Sequence, residues 1–164
     1  MRVLILGNSG AGKTTMARAL AEAHGLERLD LDAVVWEPHR VAEARPAEAV
    51  RVDLDRFTAQ HQRRVVEGSY GRWVAHLARR ASELRFLHPG VDRCLANHVI
   101  RRWEPEKYDS PEQQEERRAA LEEWVRRYPD RDDEYGLRAH VEVFEGFAGT
   151  KRQYAAADLP LLDR

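Results

Sequence analysis

The chain has 164 residues, enough for one domain with a proper core. Its 27 Lys and Arg stand against 28 Asp and Glu, a net charge of −1, which excludes the basic excess of a non-specific nucleic-acid binder. The single cysteine, Cys94, excludes an internal disulfide and fits a reducing compartment. No apolar run reaches the roughly 18 residues that a membrane span needs. The first residues pass straight into a strand pattern, which leaves no room for a signal peptide, so the expected location is cytoplasmic.

Residues 1–6, Met-Arg-Val-Leu-Ile-Leu, form a short apolar run that predicts a strand. Gly7, Asn8, Ser9, Gly10, Ala11, Gly12, Lys13 and Thr14 follow, a complete phosphate-binding P-loop. Residues 15–24 are rich in helix formers and place Met16, Ala19, Leu20 and Ala23 on one face. Strand, glycine loop and helix supply the context this motif needs. Glycines let the backbone wrap closely around phosphate, and backbone N–H groups at a helix N-terminus point at the anion. The nucleotide phosphates are therefore expected on residues 7–15, Thr15 included. Lys13 is expected to reach the β- and γ-phosphates, and the Thr14 hydroxyl to ligate Mg²⁺.

Gly25 stops the helix, and residues 26–31 read as a second strand ending in Asp30-Leu31-Asp32. Residues 33–46 are irregular and contain Trp36-Glu37-Pro38. Pro46 is placed to open a helix reaching about residue 62, with Val50, Leu54, Phe57 and His61 on one face. Residues 64–67 predict a third strand, broken by Gly68, and residues 72–81 a helix carrying Trp73, Leu77 and Ala81. Residues 84–87 predict a fourth strand, ended by His88-Pro89-Gly90. A helix over 91–102 turns Cys94, Leu95, His98 and Val99 inward. Ser110, Pro111 and Gln113 combine an N-cap, a first-turn proline and a capping-box glutamine. The helix they open buries Leu121, Trp124, Val125 and Tyr128 and stops at Pro129. A last helix near 133–147 offers Leu137, Val141 and Phe144, and residues 151–155 suit an edge strand.

Strands alternating with helices predict an α/β fold, a mostly parallel sheet between helical layers in a single domain over 1–164. Ligands of such sheets bind beyond the carboxyl ends of the strands. Beyond strand one lies the P-loop; beyond strand two, Asp30 and Asp32; beyond strand three, Glu67, Gly68, Ser69 and Tyr70. Phosphoryl transfer needs Mg²⁺ on the polyphosphate and a group that orients the attacking hydroxyl. Asp32 is read as that orienting group or base, and Asp30 and Glu67 as holders of the metal's water shell. Each aspartate also has a structural reading, as cap of a following helix. Arg101 and Arg102 either clamp the transferring phosphoryl from a mobile lid over 101–110 or merely favour a helix C-terminus. Trp36 and Tyr70 either stack on a planar acceptor or pack inward. Arg45, Arg72 and Lys151 read as surface charges before anion contacts. No Cys/His spacing of zinc type occurs.

On these residues the chain resembles the P-loop small-molecule kinases, the nucleoside monophosphate kinase group that includes adenylate, shikimate and gluconate kinases. The step from Gly12-Lys13-Thr14 to Asp30-Leu31-Asp32 matches shikimate kinases, whose second strand ends in Asp-x-Asp. The resemblance implies acceptor contact for Asp32 and Mg²⁺ support for Asp30. The Leu29–Pro38 and Glu67–Tyr70 elements resemble small bacterial adenylate-kinase-like proteins of the DNA-topology-modulation type. The resemblance extends over about residues 1–108. The shikimate-type glycine triplet is replaced by Gly68-Ser69-Tyr70, and the adenylate-kinase Asp-Gly-Phe-Pro-Arg element is absent.

The expected activity is an ATP- and Mg²⁺-dependent phosphotransferase acting on a small metabolite: a nucleotide, a sugar or a cyclic polyol. Lys13, Asp32, Arg101 and Arg102 carry the chemistry, and Asp30, Asp32, Trp36, Gly68, Ser69 and Tyr70 face the acceptor. Thr14, Asp30 and Glu67 serve the metal. The alternative is a nucleotide-binding regulator that engages a protein or nucleic acid when ATP is bound. The expected partner is a small phosphoryl acceptor, with no membrane or nucleic acid, and the chain is a monomer or homodimer.

Overall fold

The computed structural model describes residues 1–37, 43–100, 103 and 109–158. Its strands are β1 (Arg2–Gly7), β2 (Glu27–Asp30), β3 (Arg64–Gly68), β4 (Glu83–Leu87) and β5 (Thr150–Tyr154). Its helices are α1 (Lys13–His24), α2 (Asp32–Val35), α3 (Ala47–Gln60), α4 (Gly71–Ala78), α5 (Val91–Val99), α6 (Pro111–Arg126) and α7 (Leu137–Gly146). A 3-10 turn, Tyr128–Asp130, joins α6 to the segment before α7.

The strands form one sheet in the order β2-β3-β1-β4-β5, and every pairing is parallel. A parallel sheet is covered on both faces, which explains why β1 and β3 are buried almost throughout rather than at alternate positions. Side chains still alternate along each strand. Leu4, Leu6, Val66, Leu84 and Phe86 enter one core with residues of α3, α4 and α7. Val3, Ile5, Val65 and Leu87 enter a second core, against α1, α5 and α6. The same period places Glu67 with Val65, on the α1 face, and the register sets it beside both Ile5 and Asp30.

In three helices the expected inward face holds in part: Leu20 of α1 and Cys94 and His98 of α5 are buried as expected, and other positions are not. In α1 the buried line is Lys13, Ala17 and Leu20, while Ala19 and Ala23 are exposed. Helix α5 ends at Val99, which is 67% exposed, and buries Asn97 beside Cys94 and His98. In α7 the buried residue is His140, and Val141 is exposed. The exposed positions lie away from the sheet, where helical propensity says nothing about orientation. Pro46 stands just before α3 rather than inside its first turn. The edge strand is present as β5. Helix α6 starts as expected, with the Ser110 hydroxyl accepting from the Gln113 N–H at 3.2 Å. The Gln113 side chain, however, reaches back to the N–H of Asp109 instead of Ser110. Among the described residues, no helix is long and apolar enough to cross a membrane.

Candidate active site

The P-loop connects β1 to α1 at the carboxyl end of the central strand, in the crevice where α/β sheets bind ligands. Gly10 and Gly12 have φ of 78° and 94°, a left-handed conformation that side chains disfavour. A Cβ on Gly10 would also lie 2.5 Å from the Cys94 carbonyl oxygen, whereas one on Gly12 would meet nothing within 4 Å. The first glycine is therefore needed for packing against α5, and the second leaves an open cradle at the start of α1.

Residues distant in sequence hold the loop from behind. The Asn97 side-chain amide donates to the Gly10 carbonyl at 2.8 Å. The Asn8 amide donates to the Val125 carbonyl at the end of α6 at 3.2 Å, and its own oxygen accepts from the Ser9 N–H at 2.8 Å. The Ser9 hydroxyl and His98 Nε2 are 3.3 Å apart. His98 had read as a core residue and Asn97 had no reading; both flank the loop. Cys94 beneath them is buried, which pushes its thiol up to about 11 and keeps it protonated.

Lys13 is buried, and its ammonium donates to the Asn8 carbonyl at 2.9 Å and to the Ser69 hydroxyl at 3.0 Å. Burial lowers its pKa below the ordinary lysine value, opposed by the charges of Glu67, Asp32 and Asp30 in that order. The expected carboxylates thus converge electrostatically on the P-loop lysine. Asp30 accepts from the N–H of Asp32 at 3.0 Å, so it also fixes the start of α2. Asp32 accepts from the Tyr70 hydroxyl at 2.6 Å, and the Trp36 indole N–H donates to that hydroxyl at 2.5 Å.

Glu67 is 2% exposed and lies near the Thr14 hydroxyl, which favours its ionised form. Among the described residues its Oε1 has no hydrogen-bond partner, and Arg28 Nη1 lies 3.6 Å away, near enough for charge and too far for a hydrogen bond. Burial, then the charge of Asp30, raises the Glu67 pKa, against the pull of Lys13 and Thr14. A buried, unpartnered carboxylate oxygen beside the P-loop threonine suits the water shell of a hard divalent cation. Among the described residues no three His, Cys, Asp or Glu side chains form a cation cage on their own. Mg²⁺ fits such a setting, because it takes one or two protein oxygens and fills the rest with water and phosphate.

Of the two readings for the aromatic residues, the structure shows inward packing at Tyr70. Tyr70 is 3% exposed and packs in a T-shaped arrangement with Tyr135 and at a tilt against Trp36. Trp36 is half-buried and bridges to Ala44. Arg45 donates to the Val34 carbonyl and pairs with Asp53, Arg72 lies over Trp73, and Lys151 donates to the Glu145 carbonyl. Arg101, Arg102 and most of the expected lid lie outside the described residues. Sequence reading missed His140, whose Nε2 faces the Ser69 carbonyl at 3.0 Å and whose Nδ1 faces the Tyr128 hydroxyl at 2.8 Å. Its helical spacing from Leu137 and Phe144 was the available signal.

Solved structures share this architecture. Shikimate kinase from Bacteroides thetaiotaomicron superposes with a TM-score of 0.56 at 18% identity, over 95% of this chain and 86% of that one. An unliganded sugar kinase from Janibacter sp. gives 0.53 at 16% identity, over 94% and 84%. Shikimate kinase from Acinetobacter baumannii, in complex with shikimate, gives 0.50 at 20%, over 96% and 87%. No protein-family model and no curated protein matches the chain. The five-stranded parallel sheet, its flanking helices and the loop together define an α/β fold of the P-loop NTPase type.

Proposed function

We propose that this protein is an ATP- and Mg²⁺-dependent phosphotransferase for a small hydroxyl- or phosphate-bearing metabolite. The observation that supports this reading most is the gathering of Lys13, Thr14, Glu67, Asp30 and Asp32 around the carboxyl ends of β1, β2 and β3. In the proposed reaction Lys13 and the loop amides stabilise charge on the phosphoryl oxygens. Asp32, fixed by Tyr70, orients the acceptor hydroxyl and takes its proton. Thr14 would hold Mg²⁺, with Asp30 and Glu67 on its water shell, and the ion would supply neutralisation of the polyphosphate.

The structural neighbours include kinases named for shikimate and for sugar, which favours a polyhydroxylated acceptor over a nucleoside monophosphate. The Leu29–Pro38 and Glu67–Tyr70 elements favour a likeness to small bacterial adenylate-kinase-like proteins of the DNA-topology-modulation type. ATP with Mg²⁺ and a panel of sugars, cyclic polyols and nucleoside monophosphates tests the reading. The expected result is stoichiometric ADP release with one acceptor class, abolished in Asp32→Asn. Measurable nucleotide binding with no transfer to any acceptor sinks it.

A further inference from the structure

We infer that His140, on the C-terminal helix α7, is a positioning residue for the P-loop lysine, acting through Ser69. The inference rests on the reading that Lys13 serves a bound polyphosphate. A lysine ammonium has three protons. Asn8 O and Ser69 Oγ take two of them, at 2.9 and 3.0 Å, which aims the third without freezing a four-carbon chain by packing alone. Ser69 can do this only if its own backbone is fixed.

Two ties from the C-terminal segment fix it. The Ser69 carbonyl is an acceptor only, so the His140 Nε2 facing it at 3.0 Å carries the proton. That leaves Nδ1 to accept from the Tyr128 hydroxyl at 2.8 Å, and the tautomer is set from both sides. His140 and Tyr128 are 0% and 1% exposed, so neither nitrogen has water as an alternative. Independently, the N–H groups of Gly71 and Arg72 donate to the backbone oxygen and the carboxylate of Glu134, at 3.1 and 3.2 Å. The turn after β3 is thus held along its length by residues 128–140, and these ties reach Lys13 through one hydroxyl. His140 contacts neither the lysine nor the P-loop; its influence on phosphate passes through Ser69.

The experiment measures the Mg-ATP dissociation constant by calorimetry, with thermal unfolding as a check on folding, and needs no phosphoryl acceptor. Ser69→Ala is expected to weaken binding by roughly ten-fold and Ser69→Thr, which keeps the hydroxyl, by about two-fold or less. His140→Gln keeps a donor at the Nε2 position and should stay near wild type. His140→Leu should match Ser69→Ala, and combining them should add little, because both cut one path. On a Lys13→Ala background, Ser69→Ala should cost nothing further. Unchanged affinity in Ser69→Ala overturns the proposal, as does an equal loss with and without Lys13. If His140→Leu does not fold, the Gln and Thr variants decide: a loss in either as large as in Ser69→Ala overturns it. A chain that passes these tests yet phosphorylates nothing loses only the kinase reading. Phosphotransfer with Ser69→Ala at wild-type affinity loses only this one.

Discussion

Asp32 owes its place to a tyrosine 38 positions away, and that contact decides what Tyr70 does. Its hydroxyl accepts a hydrogen bond from the Trp36 indole N–H and donates one to the Asp32 carboxylate, in a row of 2.5 and 2.6 Å. Tyr70→Phe keeps the packed ring and deletes the row. Loss of a buried hydrogen bond to a carboxylate costs about 1.5–3 kcal/mol, read as a lower urea midpoint. The turnover number should fall about ten-fold while the Michaelis constant for ATP holds, since the contact serves the acceptor side. An equal change in both constants would assign Tyr70 to general structure instead. Glu67 calls for a different variant. Burial raises its pKa, so its charge is destabilising in the fold and more so as pH rises through the native value. Glu67→Gln should leave the melting temperature unchanged or higher, and raise the Mg²⁺ concentration for half-maximal activity about ten-fold. A lower melting temperature with an unchanged Mg²⁺ requirement would show that the Arg28 pair, not the cation site, keeps this carboxylate.

At the scale of elements, the legible features were those encoded by neighbouring residues. The P-loop, the Gly25 stop, the Ser110 cap and the apolar strands each depend on a few adjacent positions, and each is present. The Asp30 and Asp32 positions were legible too, because strand ends can be read from where apolar runs stop. The clamp behind the loop was not. Asn8 to Val125 spans 117 positions and Asn97 to Gly10 spans 87, and both bonds end on a backbone carbonyl that carries no residue identity. The inward faces of α5 and α7 hold at Cys94, His98, Leu137 and Phe144 but not at Val99 and Val141, which are exposed, while Asn97 and His140 are buried where polar partners wait inside. Helix α6 allows a direct check of local encoding. It buries only Val125, and its charged face carries pairs such as Arg118 with Glu115 and Glu122. With so little tertiary anchoring, its start depends on the cap. Ser110→Ala is expected to cost about 1 kcal/mol by denaturant unfolding, with helical circular dichroism falling first. No measurable cost would mean that Pro111 and Gln113 suffice.

The whole molecule is closed by its last third returning to its first. His140 links the 3-10 turn after α6 to the turn after β3, and the pH dependence of stability should show it. Burial pulls this imidazole down from about 6.5 to about 4, with the Ser69 carbonyl opposing. The native state therefore prefers the neutral ring. Between those values the unfolded chain binds the proton and the folded one does not, so stability must rise with pH across that window. It is fully present above about 6.5 and is lost progressively down to about 4. The span corresponds to about 3 kcal/mol at 1.36 kcal/mol per unit. Other groups titrate nearby: Glu67 gives the opposite slope, while Asp55 and Asp133, both lowered by hydrogen bonds from their partners, add losses at the acid end. The informative quantity is thus the difference between wild type and His140→Gln, measured by urea unfolding at several pH values from about 4 to 7.5. That difference should shrink or reverse in the variant's favour as pH falls, because glutamine keeps the donor to Ser69 and has no proton to gain. Two parallel curves would mean that His140 binds its proton equally in both states. The C-terminal segment would then hold the site by packing, without the neutral imidazole that the Tyr128 and Ser69 contacts demand.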